Sequence, residues 1–348
     1  MSAAGEGGAH SASEAMGKAL AKAEQSSPHA ATVMGVAGYL SPRQIPLQLL
    51  AALPFGEAGA RTAADALVSA GLARHEPMAS GEPALSIEAA TQEQMRRRLA
   101  AGTGEEDRHV ALAMQALSAR YPQGAEAAEV GKWTACENLD RHLRAVLAFA
   151  PDAGNGAETT SDLLHRLSHY LFARGRYEDA EPIVRRSGAV DEELLGPDHP
   201  QVGQDCANLA ILLHELGRTD EALPLIRRAM EIGEAELGPE HPLVAERYHI
   251  LASLLEARGR HADADPFIRH ALVTSERMLG RDHEDTRLYR EAYDRIVTAM
   301  ERVARKDDAV EAGLAPAPPE RLARPDLPPP PPPASRGVLG RLLRGRQS

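Results

Sequence analysis

The sequence predicts an all-α fold: a right-handed solenoid of stacked helical hairpins, preceded by a small winged-helix-like helical domain and followed by a disordered Pro-rich C-terminal tail. Three observations predict it. First, three landmarks recur at a step of 42 residues. They are Gly175-Arg176, Gly217-Arg218 and Gly259-Arg260; Ala180, Ala222 and Ala264; and a Leu-Gly-x-acid-His run at Leu195 to His199, Leu237 to His241 and Leu279 to His283. Second, aromatic residues make up 3% of the chain against 43% apolar residues overall. The core is therefore built from Ala, Leu, Val and Ile, a mix led by strong helix formers. Third, Pro328 to Pro333 is an unbroken proline run in a Pro- and Ala-rich stretch, which no packed element accommodates.

One repeat can be built from its residues. Val202 to Leu216 reads as a first helix, with Leu209, Leu212, Leu213 and Leu216 at three- and four-residue spacings. Gly217 stops it, where a left-handed conformation suits glycine. Thr219 is a candidate N-cap for a second helix opened by Asp220 and Glu221, and Ile226, Ala229, Met230 and Ile232 form its buried side. A lone hairpin cannot cover its apolar face. Stacked neighbours can, and they leave a concave groove.

The pieces RGRYEDAEPIVRR, LGPDHPQV, ANLAILLHELGRTDEALPLIRRAMEI, LGPEHPLVA and LGRDHEDT resemble the tetratricopeptide family, in the 42-residue form seen in kinesin light chains. The resemblance covers roughly 160–283. With it come the expected boundaries: a disordered start over 1–12, a winged-helix-like domain over 13–103, and a solenoid over 104–306. The solenoid divides into a degenerate hairpin at 104–155, repeats at 160–200, 201–242 and 243–283, and a capping helix at 284–306. A disordered linker and basic tail fill 307–348.

The segment before the repeats reads as helices over Ala31–Leu40, Pro46–Leu53, Ala63–Ala70 and Thr91–Leu99, with a short strand at Leu85-Ser86-Ile87. The runs GYLSPRQIPLQLL, ADALVSAGLARHE and LSIEAATQEQMRRRL resemble the segment that follows the nucleotide-binding domain in bacterial STAND-type ATPases ending in tetratricopeptide repeats. That family typically carries a His-Arg pair after the strand, where this chain has Glu88 and Ala89. No G-x-x-x-x-G-K-[ST] phosphate loop is present in the sequence. The resemblance is therefore to the sensor half of such a protein without its motor.

Charge narrows the partner. The net charge is −11, and residues 311–348 alone carry +3. An acidic body repels nucleic-acid phosphates, so nucleic acid is not favoured. Cys136 and Cys206 read as core residues in a reducing compartment. The absence of a signal peptide and of an 18-residue apolar run predicts a cytoplasmic protein with no membrane span. In the tail, Val338, Leu339, Leu342 and Leu343 alternate with Arg336, Arg341, Arg344 and Arg346. This pattern is that of a solubilising tail, or of a short helix making weak peripheral contact with a partner or an anionic membrane.

Candidate site residues follow from the repeat, whose first helices are expected to line the groove. They are His165, Arg166 and His169 from unit one, Asn208, Ile211 and His214 from unit two, and His249, Ser253 and Glu256 from unit three. Asn208 lies within ANLA, which resembles the family motif whose Asn bonds a bound peptide backbone. His165 and His169 have a zinc-ligand spacing but no third ligand by sequence. His199, His241 and His283 recur about 10 Å apart, too far for one ion, and read as turn residues. Arg185, Arg227 and Arg269 form a repeated stripe expected to pair with acids at helical spacing. No catalytic arrangement, cofactor site or metal site is expected. The expected function is a non-enzymatic adaptor holding a protein or peptide in the groove. The alternatives are a regulator contacting DNA through Arg96 to Arg98, and an accessory subunit working with a separate ATPase.

Overall fold

The computed structural model describes residues 3–311. They fall into two compact units that divide between Tyr170 and Leu171. Of the disordered tail expected at 307–348, residues 307–311 instead continue the last helix to Glu311, and 312–348 lie outside the described residues.

The first unit contains helices α1 (Ala3–Ser26), α2 (Ala30–Ala37), α3 (Leu47–Leu50), α4 (Gly56–Ser69), α5 (Ala89–Ala100), α6 (Glu105–Arg120), α7 (Trp133–Leu147) and most of α8 (Ala157–Ala173). Three short strands accompany them: β1 (Ile45–Pro46), β2 (Arg74–His75) and β3 (Ala84–Ser86). β3 is central and antiparallel to both others, with Ile45 opposite Leu85 and Arg74 opposite Ser86. Helix–strand–helix–helix–strand–strand, closed by a three-stranded sheet, is the winged-helix arrangement. Its centre is α2, where Val33, Met34, Val36 and Ala37 are fully buried. Gln92 donates from Nε2 to the carbonyls of Ala37 and Leu40, satisfying the orphan acceptors at the end of α2.

Three details differ from the sequence reading. The start of the chain is helical from Ala3 rather than unstructured, consistent with its many alanines. The helix expected over Pro46–Leu53 is reduced to Leu47–Leu50, because Pro46 sits extended at ψ 132° and pairs with Ala84. A short hairpin is expected after the helices, and β2 with β3 forms it; the bounds of β2, and β1 altogether, are not read from sequence, since two residues carry no readable alternation.

The second unit is the hairpin array: α9 (Tyr177–Leu195), α10 (Pro200–Glu215), α11 (Thr219–Leu237), α12 (Pro242–Ala257), α13 (His261–Met278) and α14 (Glu284–Glu311). Each helix packs on the next, and α12 also touches α10 and α14. First helices thus lie side by side along one face of the array. The repeated small residues Ala180, Ala222 and Ala264 are all 0% exposed, which fits close approach of neighbouring helices. The landmark glycines Gly217 and Gly259 sit at φ +77° and +71° between paired helices, and Gly196, Gly238 and Gly280 at +90°, +81° and +89° between units. A Cβ at these φ values is strained, so the repeat keeps glycine there.

The landmark histidines are helix caps. The Nδ1 atoms of His199, His241 and His283 accept from the backbone amides of Gln201, Leu243 and Asp285. Thr219 does not cap α11 as expected. It is the helix's first residue, and its hydroxyl meets His214 Nδ1 at 3.1 Å.

Candidate functional site: the face of the first helices

Arginines tie successive units together. Arg218 bridges to Glu181, Arg228 to Glu192, Arg258 to Asp220, Arg277 to Glu240 and Arg295 to Glu256. Each pair has an exposed arginine and is worth at most about 1 kcal/mol. The arginine stripe on the second helices is largely internal in its pairing, with Arg185 to Glu181 at 2.9 Å and Arg269 to Asp265 at 2.8 Å. At the matching position Arg227 has Leu223 four residues back, and it makes no ion pair among the described residues.

On the opposite face, the six residues picked from sequence on α10 and α12 separate into two groups. Asn208, His214, Ser253 and Glu256 are half-buried on α10 and α12. Asn208 accepts from Gln204 Nε2 at 3.0 Å, and Glu256 accepts from both guanidinium ends of Arg295 at 3.2 and 3.3 Å. Burial lowers the His214 pKa. These four keep polar atoms at the surface between first helices.

Ile211 and His249 do not line an open surface. Ile211 is 2% exposed and belongs to the core. His249 is fully buried, stacks on Tyr289 with ring centroids 4.6 Å apart, and meets Ser253 Oγ at 3.4 Å. Burial holds its pKa down at about 3, so it is neutral. The sequence reading treated both as groove residues because helical counting fixes an angle around the axis and not the depth of the neighbouring helix.

In the first unit, Arg166 is also buried. Its Nε donates to Asp162 at 2.9 Å, and its Nη1 donates to the carbonyls of Ser118 and Tyr121, so it holds the end of α6. His169 Nδ1 lies 3.3 Å from the Gly124 carbonyl, and burial lowers its pKa. His165 is half-buried.

Two features went unread. Arg247, 3% exposed, runs between Gly203 and Gly233 and donates to the Ala229 carbonyl at 2.7 Å. The repeat hides it, because the equivalent positions hold Leu163, Asp205 and Tyr289. Asp294 stands 42 residues after Ala252, which is fully buried, so the repeat itself signals a change there.

The winged-helix unit offers little to a duplex. Arg96 to Arg98 lie on α5, after the sheet. Arg96 donates to the Gly38 carbonyl and to Glu93, and Arg97 to Glu93. The helix that this fold lays in a major groove is α4. Its exposed face carries Glu57, Arg61 and Asp65, with Arg61 paired to Glu57 and Asp65 to His75.

Residues 160–201 and 204–272 match family models described as tetratricopeptide repeat. The chain therefore carries tetratricopeptide repeats, a module that typically serves as a protein–protein interaction scaffold. No curated protein sequence matches it. Among solved structures, the chain is similar to the nearly identical TPR-like repeats assigned to a kinesin light chain of Podosopora anserina. That likeness has 18% identity and a TM-score of 0.46, over 59% of this chain and 93% of that one. It is also similar to BtubC (BKLC) from P. vanneervenii, with 18% identity and a TM-score of 0.43, over 67% and 92%. No helix among the described residues is long and apolar enough to cross a membrane.

Proposed function

We propose that the array binds a peptide segment of a partner protein along the face formed by α10, α12 and α14, without chemical turnover. One observation carries this reading. The first helices of successive units lie side by side, and Asn208, His214, Ser253 and Glu256 remain part-exposed there while the apolar side chains around them are buried. An extended or helical segment laid across such a face gains hydrogen bonds from side chains held on rigid helices. The reaction class is association.

The test is affinity purification with mass spectrometry from the native source, comparing the natural chain with Ser253→Arg and His214→Ala. Partners retained by the natural chain and lost by both variants support the reading. Partners held equally by all three chains overturn it. Recovery of an ATPase among the lost partners would select the accessory-subunit form of the same reading.

A further inference from the structure

Helix α14 stands at the first-helix position of a fourth unit, and no second helix follows it among the described residues. It begins after the third His landmark, at the spacing that places α10 and α12. Those two helices are each covered by the second helix of their own unit. Leu251 and Leu255 of α12, which packs on α13, are 0% exposed. Their equivalents 42 residues on, Tyr293 and Val297, are only half-buried, as is Met300, although the Arg269 guanidinium of α13 stands 5.1 Å from the Tyr293 ring centroid. These three residues follow a four- and three-residue spacing and so form one stripe. Exposed Asp294 and Glu301 line one edge of it; Asp294 has no ion pair among the described residues, and Glu301 pairs with Arg305 four residues on. An apolar stripe edged by carboxylates is a surface for a short amphipathic helix bearing cations.

The sequence offers a segment of matching composition. Residues 312–348 carry six arginines against two acids, while 171–311 carry 29 acids against 19 basic residues. Val338, Leu339, Leu342 and Leu343 alternate with Arg336, Arg341 and Arg344. Residues 312–335 form a 24-residue connection, long enough to span about 75 Å even at polyproline pitch. The return path along α14 is shorter, about 42 Å at 1.5 Å per residue.

We propose that residues 336–346 dock in cis on the Tyr293–Val297–Met300 stripe and complete the fourth hairpin, with arginines meeting Asp294 and Glu301. The docked segment seals the end of the array.

The test uses the full chain with a photo-crosslinker at Leu343. The proposal expects intramolecular crosslinks concentrated on residues 290–304 and unchanged on tenfold dilution. They should weaken several-fold as salt rises to about 0.5 M. They should be lost in Arg341→Glu/Arg344→Glu and recovered when Asp294→Arg/Glu301→Arg is added. Crosslinks spread over both units, crosslinks between copies that fade on dilution, or an undiminished pattern in the charge-reversed chain would each overturn it. Circular dichroism on every variant identifies any that fail to fold, and the salt titration of the unsubstituted chain then decides by itself.

Discussion

In each unit, the histidine of the Leu-Gly-x-acid-His run turns a lone pair on Nδ1 toward the second amide of the next helix. That is the role usually given to Ser or Asp, and it satisfies an orphan donor. His241→Ala should lower stability by about 1 kcal/mol, and His241→Asn should restore most of it, as read by urea denaturation. Equal loss in both variants would mean the cap contributes nothing. His249 makes a second prediction. Its folded pKa, about 3, lies below the unfolded value near 6.5, so the unfolded chain takes up the proton first. Stability should therefore fall as pH drops through 6.5 toward 3, by about 1.4 kcal/mol per unit from this group. His142 adds the same trend in the first unit, with a pKa lowered to about 4 by burial. His249→Phe, which keeps a ring against Tyr289, should flatten the pH slope measured between pH 7 and 5. At this scale the sequence showed that the landmark histidines belong to turns. The burial of His249 was not legible, because depth depends on Tyr289 of the next unit.

Between helices, packing turns on glycine and arginine. The side chain of Arg247 passes so close to Gly233 that a Cβ there would collide with Nη1. Gly233→Ala should cost about 1–3 kcal/mol, because Arg247 must leave the Ala229 carbonyl. Gly188 is a control on α9. A Cβ there would lie 3.4 Å from Asp205 Cβ, an ordinary contact. Gly188→Ala should be neutral or stabilise by up to about 1 kcal/mol through helix propensity. If thermal melts rank the two the other way, the packing account of Arg247 is wrong. Repeat spacing predicted α10 to α13 within a few residues, since 3.6-residue periodicity and glycine stops act locally. It did not predict β1, which exists only because distant segments pair.

For the whole molecule, the array needs its ends covered. A chain ending at His283 would lose Tyr289, Ala292 and Ile296, all at most 2% exposed, and with them the cover over α12 and α13. It should melt at a lower temperature and elute as larger species in size exclusion. An unchanged melting point and elution volume would show that α14 is dispensable. The presence of tetratricopeptide repeats was legible from landmarks alone. The face proposed to meet a partner was legible only as a set of positions, of which Asn208, His214, Ser253 and Glu256 keep part-exposed polar groups. The most direct measurement of the binding claim is a quantitative pull-down comparing Ser253→Arg on the first-helix face with Arg227→Glu on the second-helix face. The account predicts that Ser253→Arg loses the bound partner at least tenfold while Arg227→Glu retains it. Retention by Ser253→Arg together with loss in Arg227→Glu would contradict it.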